Sequence, residues 1–242
     1  MKKAIPYIII IIGLLVIIYP FASNLYSSYW ENRMFQEAEA LLNSNDTINN
    51  EEDLIQNTSY DFDQMNQAFE DQDYEYERQL PDGRTSSPSV EPVQEDPNDN
   101  EVDYIRRGEV IGKIEIPSIS VNLPLLAGSD AQTLDRGAGQ IIGTAPPGEI
   151  GNTGIAAHRA NRDGRFFYRL NEVDIGDEII IQTPKGTFVY EVYATKIVEP
   201  TDMSVLNRNQ TDRVVTLITC HPRYTADYRL IVHGKLTRGA SL

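Results

Sequence analysis

One thiol, one imidazole and one guanidinium in this 242-residue chain stand where acyl-transfer chemistry would need them. Cys220 is the single cysteine. No internal disulfide can form, so its thiol is either an inert small hydrophobe or is kept for its thiolate. It follows the apolar run Val214-Val-Thr-Leu-Ile-Thr219 directly. A side chain at a strand end is held by the sheet yet reaches the surface, which is the placement a nucleophile requires. His158 likewise ends the short run Thr153–Ala157, and Arg229 opens the run Arg229–His233, nine residues beyond the cysteine. The intervening loop returns Arg229 beside Cys220 if their strands are neighbours. A thiolate can then attack an acyl carbonyl, an imidazolium can protonate the leaving amine, and an always-charged guanidinium can stabilise the oxyanion. The non-enzymatic alternative is a β-rich adaptor in which Cys220 is merely core.

Other residues compete for these roles. His221 adjoins Cys220, and neighbours on an extended chain point to opposite sides, so its ring is poorly aimed at the thiol. His233 shares a face with Arg229 but lies four residues further along, roughly 13 Å away. Arg223 is the rival to Arg229. The adjacent Phe166 and Phe167 read as core. Three histidines and one cysteine at scattered positions match no zinc spacing, and no cofactor is implied.

The elements that must hold these groups read as short strands. Ile111-Gly-Lys-Ile-Glu-Ile116 alternates and stops at Pro117, and Ser120–Leu126 follows it. Asp177–Thr183 and Thr187–Tyr193 flank Pro184-Lys-Gly186, a hairpin signal. The run before Cys220 is apolar on both faces, as a central strand is. Helical stretches are confined to Ala131–Leu134 and Arg165–Leu170. Many short strands with little helix make residues 104–242 one mainly β domain, a barrel or a sandwich.

The rest of the chain is different in kind. Residues 31–103 carry 21 Asp/Glu against three Arg and no Lys, a net of −18, whereas residues 104–242 sum to +1. With the two lysines at positions 2 and 3, these recover the overall −15. No basic patch of the density that nucleic acid requires exists. Residues 1–30 hold an uncharged, nearly all-apolar run from Ala4 to Ala22 behind Lys2 and Lys3. About 20 such residues suffice to cross a bilayer, and the flanking charges put the N-terminus in the cytoplasm and the remainder outside. A cleaved signal peptide is the alternative, weakened by the length of the run and by the lack of a clear small-x-small site. Residues 31–103 are poor in aliphatics and read as an acidic, mostly disordered stalk that does not gate the site. One short helix is expected around Ala38–Leu42. The competing reading is a lid docking through Tyr60, Phe62, Phe69, Tyr74 or Tyr76.

Thr216-Leu-Ile-Thr-Cys220 resembles the TLxTC motif of the sortases. Ala157-His-Arg159 resembles the segment around the sortase histidine, and Tyr228-Arg-Leu-Ile-Val232 the strand bearing the sortase arginine. Ile111–Pro117, Gly151–Gly154 and Phe166–Leu170 are similar to flanking segments, so the resemblance spans about residues 109–236. It implies a closed eight-stranded β-barrel behind a transmembrane helix and stalk. The implied activity is a cysteine transpeptidase of Gram-positive cell surfaces that cleaves an LPxTG-like sorting signal through a thioacyl-enzyme. Its implied partners are surface proteins bearing C-terminal sorting signals, the lipid membrane, and an acceptor amine from a peptidoglycan precursor or a pilin lysine. By this resemblance Cys220 is the nucleophile, His158 the acid/base, Arg229 the oxyanion or substrate stabiliser, and Thr219 lines the site. The loop 198–213 would read the sorting signal. His221-Pro-Arg-Tyr224 is similar to single-anchor class D or E members. The long pre-domain segment is similar to class C pilin polymerases, although Asp96-Pro-Asn98 lacks the aromatic residue of their lid motif.

Overall fold

A computed structural model describes residues 33–43, 61–70, 107–159, 165–207, 210–223 and 225–239. Helices α1 (33–43) and α2 (61–70) precede strands β1 (Val110–Ile116) and β2 (Val121–Ala127), helix α3 (Ala131–Leu134), and strands β3 (Ala138–Gln140) and β4 (Gly151–Ala156). Strands β5 (Glu178–Thr183), β6 (Gly186–Val198), β7 (Arg213–His221) and β8 (Tyr228–Arg238) complete the order. They close into a barrel, β1-β2-β3-β4-β7-β8-β6-β5. Closure leaves no unpaired sheet edge. The β2–β3 and β4–β7 pairs are parallel; the others run antiparallel.

Two apolar layers explain the composition of β7. Its Val215 and Leu217 point into the barrel with Ile114, Leu125, Ile155 and Val232. Ile218 and Cys220 point outward, into a second cluster with Leu134, Ile141, Ala156 and Ile231. Strand side chains alternate between faces, so a strand buried on both sides must be apolar throughout. That is why Val214–Thr219 lacks the polar alternation of an ordinary barrel strand.

The outer layer is roofed by two elements. One is α2, whose Phe62, Met65 and Phe69 recur at helical spacing and are all buried. The other is the turn of 3₁₀-helix Met203–Leu206 in the β6–β7 connection, which buries Val205 and Leu206. Gly154 on β4 makes the second fit possible, since a Cβ there would lie 2.8 Å from Leu206 Cδ2. Meanwhile α1 sets Met34 and Ala38 against Val110 and Leu126.

The short helix expected around Ala38–Leu42 is present as α1, and over residues 61–70 a packed helix stands where disordered stalk was expected. The spaced apolar side chains of α2 are hidden in composition by Asp61, Asp63 and Glu70, although Asp61 is itself buried. Its carboxylate accepts from Ser129 Oγ at 2.8 Å and from the Ile142 amide at 2.9 Å, and pairs with Arg107. Phe62 and Phe69 are docking points; Tyr60, Tyr74 and Tyr76 lie outside the described residues. So do residues 1–32 and the proposed membrane run. Among the described residues no helix is long and apolar enough to cross a membrane.

One strand is added to the sequence reading and two readings change. β3 is only three residues long with glycine at its centre, too short to show a period. β6 continues well past Tyr193 to pair with β8, through register shifts at Val189/Tyr190 and Val192/Ala194. The helix expected over Arg165–Leu170 is a run of turns ending in 3₁₀-helix Leu170–Glu172, with Phe166 at φ +48°, incompatible with a continuous α-helix.

Candidate active site

The register of three strands assembles the site. Cys220 on β7 is the direct partner of Arg229 on β8. On the other side β4 runs parallel to β7 with Ala156 opposite Ile218, and the Ala157 amide continues the ladder to the Ile218 carbonyl at 3.2 Å. Two residues further along each chain stand His158 and Cys220. Their positions share the outward face of Ala156, Ile218 and Ile231, so thiol, imidazole and guanidinium meet on one patch outside the barrel wall.

Each is held from a different direction. Arg229 Nη1 donates to the Ala226 carbonyl at 2.7 Å and to the Tyr228 carbonyl at 3.1 Å. His158 sits between two aromatic rings, Phe69 of α2 at 5.7 Å and Phe166 at 6.1 Å between centroids. Its Nε2 lies 3.6 Å from Asp135 Oδ1 at the end of α3, while Nδ1 has no hydrogen-bond partner among the described residues. The ring thus turns one nitrogen to a carboxylate and keeps the other buried.

The site is closed. Cys220 and His158 are 3% exposed and Arg229 is 1% exposed. The cover is α2: the Asn66 side-chain oxygen accepts from Arg229 Nε at 3.1 Å, and the Arg229 guanidinium lies 5.1 Å from the centre of the Phe69 ring. Asn66 also donates to the Pro200 carbonyl at 3.0 Å, tying the helix to the β6–β7 connection. A peptide backbone cannot reach the thiol while α2 occupies this groove.

The remaining candidates have other roles. Thr219 alternates to the barrel interior, opposite Cys220, and its hydroxyl donates to the Ala157 carbonyl at 2.7 Å. It ties β7 to the segment that follows β4 and does not point to the face of Cys220. His221 accepts from Arg159 on Nδ1 at 2.9 Å, and its pKa is lowered by burial and then by that guanidinium. The Arg223 guanidinium stacks 4.5 Å over Tyr168. His233 lies under the β6–β7 connection. The Asn152 amide donates to the Val205 carbonyl at 2.9 Å, and Thr216 donates its hydroxyl proton to Asn152 Oδ1 at 2.7 Å. The 2.9 Å contact between Thr216 and His233 Nδ1 must then use a proton on the imidazole. Burial, and secondarily Lys196, lower the His233 pKa to about 4. Phe166 and Phe167 are buried in the barrel core as expected.

A family model of the sortase domain matches residues 114–237, half of the chain and almost all of the barrel. The chain belongs to the sortase family. Sortase D of Bacillus subtilis is 34% identical over 131 residues, which are 53% of this chain and 64% of that protein. Sortase A of Listeria monocytogenes is 28% identical over 242 residues, covering 100% of this chain and 94% of its own. The solved structure of the Clostridium perfringens sortase D5 transpeptidase superposes with a TM-score of 0.52 at 35% identity, over 56% of this chain and 83% of that one. The chain thus spans just under two thirds of its Bacillus relative. The barrel is the sortase fold, and sortases are cysteine transpeptidases.

Proposed function

We propose that this sortase is a membrane-anchored transpeptidase that attaches surface proteins to the cell wall. The observation that carries the reading is the β4–β7–β8 register, which sets His158, Cys220 and Arg229 side by side on one face. The Cys220 thiolate attacks the carbonyl of an LPxTG-like sorting signal, and Arg229 stabilises the oxyanion. His158 protonates the departing amine as the peptide C–N bond breaks and the thioester forms. An acceptor amine, from a peptidoglycan precursor, then attacks the thioester, loses its proton to His158 and releases the thiolate. The peptide takes the apolar groove now filled by Phe62, Met65 and Phe69, so α2 must leave before acylation. The uncharged run 4–22 supports anchoring from the outer face of the membrane.

Mass spectrometry of the protein incubated with a library of sorting-signal peptides tests this. A thioester adduct on Cys220, absent in Cys220→Ala and discharged by added amine, is expected. Peptide turnover by Cys220→Ala would sink the assignment. A pilin lysine as the productive acceptor, in place of a peptidoglycan stem, would make the protein a pilin polymerase.

A further inference from the structure

Arg159, next to His158, is 5% exposed, and its head group crosses to β7. Nη1 donates to the carbonyl of Cys220 itself at 3.1 Å and to His221 Nδ1 at 2.9 Å; Nη2 donates to Asn171 Oδ1 at 2.7 Å. A guanidinium can only donate, so His221 accepts on a lone pair and is neutral with its proton on Nε2. Among the described residues no carboxylate pairs with this cation, burial of such a charge is unfavourable, and a surface arginine kept for solubility has no reason to lie here. A group that benefits from the charge is called for, and Nη1 is fastened to the backbone of the residue that carries the thiol.

We propose that Arg159 is a positioning residue of the acyl-transfer site. It fastens the end of β7 to the His158 segment through the Cys220 carbonyl, and it holds a fixed positive charge beside the thiol that favours the thiolate. The inference rests on Cys220 being the nucleophile. Burial and Arg223 lower the Arg159 pKa, while Cys220 and Tyr168 raise it, which places cation and thiol within electrostatic reach of one another. Among the described residues, the other charged or titratable groups around this site include His158, Arg229 and His221, with Arg223 and Tyr168 on the far side of Arg159. α2 presents uncharged Asn66 and Phe69. Arg229 has the same sign, but its head group is turned to Asn66 and to the Ala226 carbonyl. Arg159 contacts the backbone of Cys220 from the histidine side.

The test is the pH dependence of Cys220 alkylation by iodoacetamide in the full chain, for wild type, Arg159→Met and Arg159→Lys. All three carry the same α2, so restricted access scales the rate without moving the midpoint. The midpoint should rise by about one pH unit or more in Arg159→Met, the order that one neighbouring charge produces. It should return toward wild type in Arg159→Lys. That variant keeps the charge but cannot bridge Cys220, His221 and Asn171 together, so its kcat for peptide cleavage should stay low while KM changes little. An unchanged midpoint in Arg159→Met, at wild-type Tm, overturns the proposal. A wild-type midpoint no lower than that of an ordinary thiol, with no acyl-enzyme, would instead remove the nucleophile assignment.

Discussion

If, as proposed, His158 transfers the proton and Arg229 stabilises the charge, their losses should differ in size but not in kind. His158→Ala should lower peptide turnover by about 10²–10⁴ and Arg229→Ala by about 10²–10³, measured well below the Tm of each variant so that the folded protein is compared. Arg229→Lys should stay impaired, because an ammonium lacks the planar fork. Near wild-type turnover in a folded variant would remove that residue from the mechanism. His233 acts on stability. Its pKa of about 4 in the fold lies below the ordinary 6.5, so between those values the unfolded chain binds the extra proton. Its contribution is full above pH 6.5 and is lost as pH falls toward 4. His221, lowered in the same direction, adds to the slope. Urea midpoints from pH 7.5 to 4.5 should therefore fall, and His233→Asn should flatten the dependence without abolishing it. An undiminished slope in that variant would refute the assignment.

Helix α2 is held by three apolar side chains and by polar ties at both ends. Asp61 binds Ser129, Ile142 and Arg107 at one end, and Asn66 binds Pro200 and Arg229 nearer the other. Phe62 is the residue to change, because Phe69 and Asn66 touch His158 or Arg229 and would confuse gating with chemistry. Phe62→Ala should loosen the helix by a few kcal/mol, the usual cost of truncating a buried phenylalanine. The expected result is at least a tenfold faster alkylation of Cys220 at fixed pH, with a higher kcat/KM for sorting-signal peptides. Equal alkylation rates in the two proteins would mean that α2 does not limit access.

The whole molecule joins a near-neutral barrel to an acidic leader. Removing residues 1–30 should leave a soluble, folded protein. Starting the chain near residue 100 should do worse, since it strips α2 from Leu134, Ile141, Ile218 and Ile231, an apolar face that must then meet water. Thermal melts and light scattering of the two truncations check this. A higher Tm and no aggregation in the shorter form would show that α2 is dispensable to the fold.

Strand periodicity, the turn at Pro117 and the Thr-Leu-Ile-Thr-Cys run made the mainly β domain and the three candidate side chains that the fold brings together legible from the sequence, because those signals are local. The resemblance carried the closed barrel, which periodicity left open against a sandwich. What one residue lends to another far along the chain was not legible. Thr219 reads as a neighbour of the nucleophile and so as part of the site, yet alternation turns it inward once β7 has barrel on one side and α2 on the other. Arg159 reads as a flank of His158, and only the parallel β4–β7 pairing brings its head group to the Cys220 carbonyl. Composition made residues 61–70 look like stalk, because acidic and amide residues together outnumber the apolar ones. Their spacing acquires meaning only when an outer apolar face of the barrel is present to receive it. Tertiary structure decided these matters because burial of a side chain depends on what stands opposite, and strand pairing across the barrel determines that.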